Sequence, residues 1–307
     1  MIRYVIFRLV NAAVIVAVVF ILVFLLTHWV ANPVDQLLPL SATASERAAM
    51  AHKLGTDKPI VVQLFDYVKG AAKGDFGQSW NQDRPAIDIV LERIPTTMEL
   101  VAAAFGFAMV FGLILGVLAS LRPRSLLDKV ISTSSLVGIC LPNFWAGLIL
   151  MIIFAVKLGW FPTSGVGDWK NLVLPAVTLG ILPLGRMVEI VRSAMLDQMR
   201  EQYVTTARAK GVSETLVVVK HAMKNAGVTI VTMGGWELGR MIAGYTVVVE
   251  VVFAWPGMGH LVVEAIKQGD FALVQVLALV IAVMIGLLNL VVDLSYPLFD
   301  PRIKYGS

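Results

Sequence analysis

Between Glu99 and Arg122 the chain carries no charged residue, and that run is one of several. A helix needs about 20 apolar residues to cross the hydrocarbon core of a bilayer. Inside a bilayer the backbone must satisfy its own polar groups, so each such run has to be helical. Taken in order, the runs cover residues 9–30, 97–121, 130–156, 174–195, 227–252 and 271–296. A composition of 58% hydrophobic and only 15% charged residues excludes an ordinary soluble domain of this length. The expected fold is therefore an all-α polytopic membrane protein with six transmembrane helices.

Charge placement orients these spans. Arg3 and Arg8 precede the first run, Arg122, Arg124 and Lys129 follow the second, and Arg302 and Lys304 follow the last. The interval after the fourth run holds Arg200, Arg208, Lys210, Lys220 and Lys224, whereas the short loops of the other side hold only Lys157, Lys170 and Lys267. The positive-inside rule puts both termini in the cytoplasm. The first run is too long for a signal-peptide core and no Ala-x-Ala site follows it, so it is read as an uncleaved span. The layout is a first span over 1–30, an external segment over 31–95, a membrane core over 96–297 and a cytoplasmic tail over 298–307. In the external segment, 45–53 and 60–73 read as helices and 74–78 as a turn.

Several function classes drop out. The net charge of +4 does not point to nucleic acid, because the basic residues alternate with spans. The single cysteine, Cys140, permits no intramolecular disulfide, and the four histidines lack ligand spacing, so no metal site is expected. There is no Gly-x-x-x-x-Gly-Lys-Ser/Thr phosphate loop, no His-Glu-x-x-His and no Gly-x-Ser-x-Gly. The chain is not expected to be an enzyme or to bind a cofactor.

The polar interval REQYVTTARAKGVSETLVVVKHAMKN, residues 200–225, is the most structured of the connections. Helical pattern runs from Leu196 through Lys210. Gly211 stands where a left-handed C′ residue ends a helix, and Ser213 is placed to cap a second helix reaching about Asn225. The expected shape is two short helices at an angle. Ala207 and Ala209 leave its surface shallow, and Arg208, Lys210, Lys220 and Lys224 ring it with positive charge. As an ordinary basic loop it would only set orientation; as a shaped surface it can be gripped by another subunit.

Two pairs of charges lie inside spans: Arg186 with Glu189, and Glu237 with Arg240. Each is spaced i, i+3 and can meet on one helix face. A charge at mid-bilayer costs at least about 2.5 kcal/mol, so these groups face the bundle interior, a partner or water. They are either intrahelical neutralising pairs or part of a path or gate, with Arg192 snorkelling to the inner interface. The stretch Glu250-Val251-Val252-Phe253-Ala254-Trp255-Pro256-Gly257-Met258-Gly259 cannot continue as helix, and its aromatics favour an interface. Near the end, Asn289 and Asp293 share a face of the last span as interhelical hydrogen-bonding groups.

The segment Tyr203-Val204-Thr205-Thr206-Ala207-Arg208-Ala209-Lys210-Gly211 resembles the cytoplasmic signature loop of ABC importer permeases, in the form used by the dipeptide and oligopeptide branch. Thr205 stands where the general importer pattern has Glu, and Thr229 where branch members carry a proline. Further segments resemble that branch in the same order: Asn32-Pro33-Val34-Asp35, Gly74-Asp75-Phe76-Gly77-Gln78-Ser79, Arg93 to Leu100, Asn289 to Asp293, and Asp300-Pro301-Arg302.

The resemblance implies a type I importer permease fold and a role as the first of two permeases in the bacterial inner membrane. It implies as partners a second permease, two ATPase subunits, an external substrate-binding protein and membrane lipid, with ATP and Mg held by the ATPases. Coupling would fall to Tyr203, Thr206, Ala207, Arg208, Ala209, Lys210, Gly211 and Ser213. Glu250, Phe253, Trp255, Pro256, Gly257, Met258 and Gly259 would form a re-entrant outer loop at the mouth of the path. The implied cargo is a di- or oligopeptide, with glutathione and chelated nickel also within the branch. The rival reading is a stand-alone ion-coupled carrier or channel with Glu237 and Arg240 as its relay.

Overall fold

The computed structural model describes residues 2–30, 34, 38, 41–54, 56–71 and 73–299. The six apolar runs fall on helix, apart from an interruption at Leu141 and Pro142 in the third. The helices are α1 (Ile2–Val30), α2 (Ala44–Leu54), α3 (Ile60–Ala71), α4 (Ala86–Leu121), α5 (Leu126–Cys140) and α6 (Asn143–Leu150). They continue as α7 (Trp169–Met199), α8 (Gln202–Ala209), α9 (Met223–Arg240), α10 (Thr246–Val252), α11 (Met258–Lys267) and α12 (Phe271–Phe299). Among the described residues the only strand-like pairing is a bridge between Gln78 and Pro85. Among the described residues three helices are long and apolar enough to cross a membrane: Ala86–Leu121, Trp169–Met199 and Phe271–Val292. The bent pair Leu126–Cys140 and Asn143–Lys157 makes a fourth if it is one span.

Three expected boundaries change. The second span was expected from 97, but α4 begins at Ala86 and runs through Pro95. Burial of Ile89 and Val90 in an apolar cluster with Leu261 and Leu277 offsets the hydrogen bond that Pro95 cannot make. The kink expected near Leu141 is a 107° break. Leu141 and Pro142 both take extended backbone, because a residue before proline is pushed out of the helical region. Finally, the second helix of the polar interval does not stop near Asn225. Helix persists from Glu214 through α9 and α10, broken only by wider π turns at Val217–Ala222 and Met241–Tyr245. Thr229 leaves that helix without a breaker.

The chain divides into two compact units, one centred on Met98–Trp255 and one on Leu9–Thr97 with Pro256–Gly286. In the first, α7 is the hub and packs against α5, α6 and α9. Its buried face includes Leu179, Met187, Val188, Val191 and Met195. Gly112 and Gly116 of α4 sit one turn apart over that face. A Cβ on Gly112 would lie 2.7 Å from the Met187 Cβ, and one on Gly116 would lie 2.6 Å from the Val191 Cβ. Small residues at this spacing let membrane helices approach closely enough for dispersion to hold them. In the second unit α3 stacks Tyr67 on Phe20 and Phe24 of α1, with ring centroids 4.8 and 5.6 Å apart. There Ser79 donates a buried 2.5 Å hydrogen bond to Asp270.

Candidate functional site

The polar interval folds as a capped hairpin. Helix α7 ends at Met199, the backbone is extended at Glu201, and α8 starts at Gln202. The expected single helix from Leu196 to Lys210 is therefore broken. The break lets Val204 and Ala207 turn inward onto Val217, where all three are buried. Gly211 has φ +79°. Its N–H donates to the Arg208 carbonyl at 2.9 Å, and the Val212 N–H donates to the Ala207 carbonyl at 3.2 Å. These two bonds define a Schellman cap, which closes a helix through a left-handed residue. Ser213 takes the N-cap position of the next helix without a side-chain bond.

Arg208 pairs with Glu214 across the turn, with Nε to Oε2 at 3.0 Å and Nη2 to Oε1 at 2.6 Å. The Arg208 hydrogen bond holds the Glu214 carboxyl below its ordinary value. Thr206, Arg208, Ala209, Lys210, Gly211 and Ser213 are exposed, while Tyr203 is half-buried and donates to Gln198 at 2.6 Å. Ala207 was expected on the outer surface with Ala209; it is instead part of the hairpin's own core. Leu216 and Val219 are 52% and 54% exposed on the following turn. Apolar side chains inside a polar, basic loop were the available signal for them.

The membrane charges rearrange relative to expectation. Glu237 does meet Arg240 on α9, at 3.1 Å. Arg186 does not pair with Glu189. Its Nη1 crosses from α7 to α9 and donates to both Glu237 oxygens at 3.2 and 3.3 Å, and to the Tyr245 hydroxyl at 3.2 Å. The Glu189 Oε1 is buried and has no hydrogen-bond partner among the described residues. Arg186, Glu189, Trp236, Glu237 and Arg240 line a cavity of about 550 Å³. The Arg240 guanidinium lies 5.5 Å from the Trp236 ring centre, within cation–π range. Periodicity offered each helix its own pair; the pair on α9 forms, and packing draws Arg186 of α7 onto it.

Arg192, expected near the inner interface, has a partner at the start of α5. It grips Asp128 with Nε to Oδ1 at 2.6 Å and Nη2 to Oδ2 at 2.8 Å. The Arg124 N–H also donates to this carboxylate at 2.8 Å. The Asp128 N–H bonds the Ser125 Oγ that caps α5. Asp128 was missed in the sequence, although Ser-x-x-Asp ahead of an apolar run is an N-cap signal.

The segment 250–259 is not a set of interfacial anchors. Glu250, Phe253 and Trp255 are buried. Phe253 is packed so close to Gly147 that a Cβ there would lie 3.2 Å from its ring. In the second unit Met258 and Gly259 are buried, and the Met258 N–H donates to Thr97 Oγ1 at 2.8 Å. The Pro256 carbonyl accepts from Arg93 at 3.3 Å, and Gly257 is the extended residue that starts α11. Ala254, with φ +47°, is a non-glycine residue in the left-handed region. Asn289 is exposed, and the side chain of Asp293 lies outside the described residues, as do Asn32, Asp35 and Arg302.

The structure is that of a helical membrane chain with a capped basic hairpin and interhelical charges. Residues 93–305 match the family described as the binding-protein-dependent transport system inner membrane component, and residues 1–101 match its N-terminal region. The chain belongs to that family: it is a permease subunit of a binding-protein-dependent ABC importer of the inner membrane, and not a catalytic chain. It is 36% identical to the glutathione transport system permease protein GsiC of Escherichia coli K12, covering 99% of this chain and all of that one. Identity to GsiC of Salmonella choleraesuis is 37% over the same length. Among solved structures, the inward-facing MetNI methionine ABC transporter superposes with a TM-score of 0.58 at 19% identity. It covers 69% of this chain and 96% of that one. An amino acid ABC transporter with histidines follows at 0.54 and 17%, covering 68% and 93%. These two show a shared fold.

Proposed function

We propose that this permease carries short peptides, glutathione among them, as the first of two permease subunits. It has six spans with both termini in the cytoplasm. An external binding protein delivers the cargo, two ATPase chains hold ATP and Mg, and each permease presents one hairpin to an ATPase. The full-length likeness to glutathione permeases supports the cargo class. The observation that carries the coupling role is the Schellman-capped turn at Gly211, which holds Arg208, Ala209 and Lys210 outward on a rigid knob. ATP binding closes the ATPases, moves the two knobs, and shifts the spans from inward- to outward-facing by differential binding to the two states.

Affinity purification in mild detergent, followed by native mass spectrometry, tests the assembly. The expected mass contains a second permease and two nucleotide-binding chains. Recovery of this chain alone, with gradient-driven flux and no ATPase activity, would instead establish an ion-coupled carrier.

A further inference from the structure

The cavity between α7 and α9 carries more charge than a structural cluster requires. Glu237 already serves both guanidiniums, at 3.2 Å from Arg186 and 3.1 Å from Arg240. That trio is left with one excess positive charge. The Arg186 and Arg240 side chains stay 28% and 40% exposed, so their unpaired nitrogens remain reachable. In the same cavity the Glu189 Oε1 is buried without a hydrogen-bond partner among the described residues. A cluster selected only for neutrality would have closed Arg186 onto Glu189, three residues away on the same helix. Trp236, 60% exposed, floors the space below Arg240.

We infer that this cavity is a binding station for a zwitterionic short peptide, with Arg186 and Arg240 receiving its carboxylate and Glu189 its ammonium group. The assignment rests on the permease reading above and deepens it by placing a cargo contact in this chain. The four side chains sum to zero charge and bring both signs to one cavity, which is what the two ends of a zwitterion require. The volume of about 550 Å³ falls within the roughly 300–1,000 Å³ of small-ligand sites. In a low-dielectric surround each ionic contact counts for more than in water, so two weak ends suffice for a transient stop. A carrier also needs its stations weak, and a cation already shared with Glu237 binds a carboxylate less tightly than a bare one.

The test uses the intact complex in nanodiscs without the external binding protein, so that the permease alone selects. Equilibrium dialysis compares tri-alanine, N-acetyl-tri-alanine and tri-alanine amide. Each blocked terminus removes one charge-assisted contact, and acetylation is expected to weaken binding about tenfold or more. In Glu189→Gln the penalty for acetylation disappears while the penalty for amidation remains. In Arg240→Gln the amidation penalty shrinks. Equal binding of all three peptides to the wild-type complex overturns the assignment, as does no binding by about 10 mM. If a variant fails to assemble, the wild-type series still decides. Failure of the station leaves ATP-driven uptake intact, whereas failure of the permease reading abolishes it in every preparation.

Discussion

Gly211 offers the cleanest perturbation of coupling, because its cost can be worked from the backbone alone. A Cβ placed there meets nothing within 4 Å, so no clash contributes. The penalty is the left-handed conformation itself, φ +79°, which costs an L-residue roughly 1–2 kcal/mol. A β-branched side chain sits at the upper end of that range. Asparagine tolerates the same region and is a known C′ residue, so it should cost far less. If docking on the ATPase requires the capped hairpin, that energy is subtracted from docking. Gly211→Val should then weaken ATPase association by about 5- to 30-fold, Gly211→Ala by less, and Gly211→Asn by little. The assay is titration of purified ATPase onto the permease pair in nanodiscs, with ATP-driven uptake in proteoliposomes alongside. The order matters more than the size. If Gly211→Asn is as damaging as Gly211→Val, the effect is not conformational. If Gly211→Val docks and transports normally, the hairpin does not carry coupling.

Three further outcomes follow from the geometry. Asp128→Asn leaves the Arg192 guanidinium without its counter-charge and should destabilise the purified protein by about 3 kcal/mol or more; the double change Asp128→Asn with Arg192→Met should recover much of the loss in melting temperature, and equal melting of Asp128→Asn and wild type would refute the pairing. Ala254, at φ +47°, is held in a strained region. Ala254→Gly should melt no lower than wild type, because relief of strain offsets the greater chain entropy lost on folding, while Ala254→Val should melt lower; the reverse order would show that this turn is not under strain. Glu214 has its pKa depressed by the Arg208 bond, so the stabilisation it lends the hairpin is present above its unfolded value and fades as pH falls through the lower folded one. Spin labels at Thr206 and Thr215 should report an unchanged distance from pH 7 to 5 and a widening only at more acidic pH; widening already near neutrality would count against the pair.

Much of the fold was legible because it depends on composition over long windows. Runs such as 97–121 and 271–296 must be helical wherever they lie, since the bilayer supplies no hydrogen bonds to an open backbone. The hairpin's hinge was legible for a local reason: a glycine ending a helical pattern serves as a left-handed cap with little regard to its surroundings. The Leu141–Pro142 break was legible in position, because proline restricts its predecessor, but not in its 107° angle, which depends on what the two arms pack against. The pair Gly112 and Gly116 is a small-xxx-small pattern that the sequence displayed, but its partners Met187 and Val191 could not be read from it.

The charges show the same divide most sharply. Their presence, their depth in the spans and their i, i+3 spacing were properties of the sequence, and these marked Arg186, Glu189, Glu237 and Arg240 as residues needing an explanation. Which pairs form was not such a property. Two partners three residues apart on a helix and two partners facing each other across a helix interface are both within reach. The choice falls to the crossing of α7 and α9, which brings Arg186 onto Glu237 and Tyr245 and leaves the Glu189 Oε1 without a hydrogen-bond partner among the described residues. In the same way Phe253 and Trp255 were aromatic at a span's end in the sequence, but only the packing of α6 and the turn around them made them core rather than anchors. Local conformation and membrane placement follow from short-range sterics and from the solvent, which every residue meets alone. Pairing and burial follow from which surfaces meet, and surfaces exist only once the helices have packed.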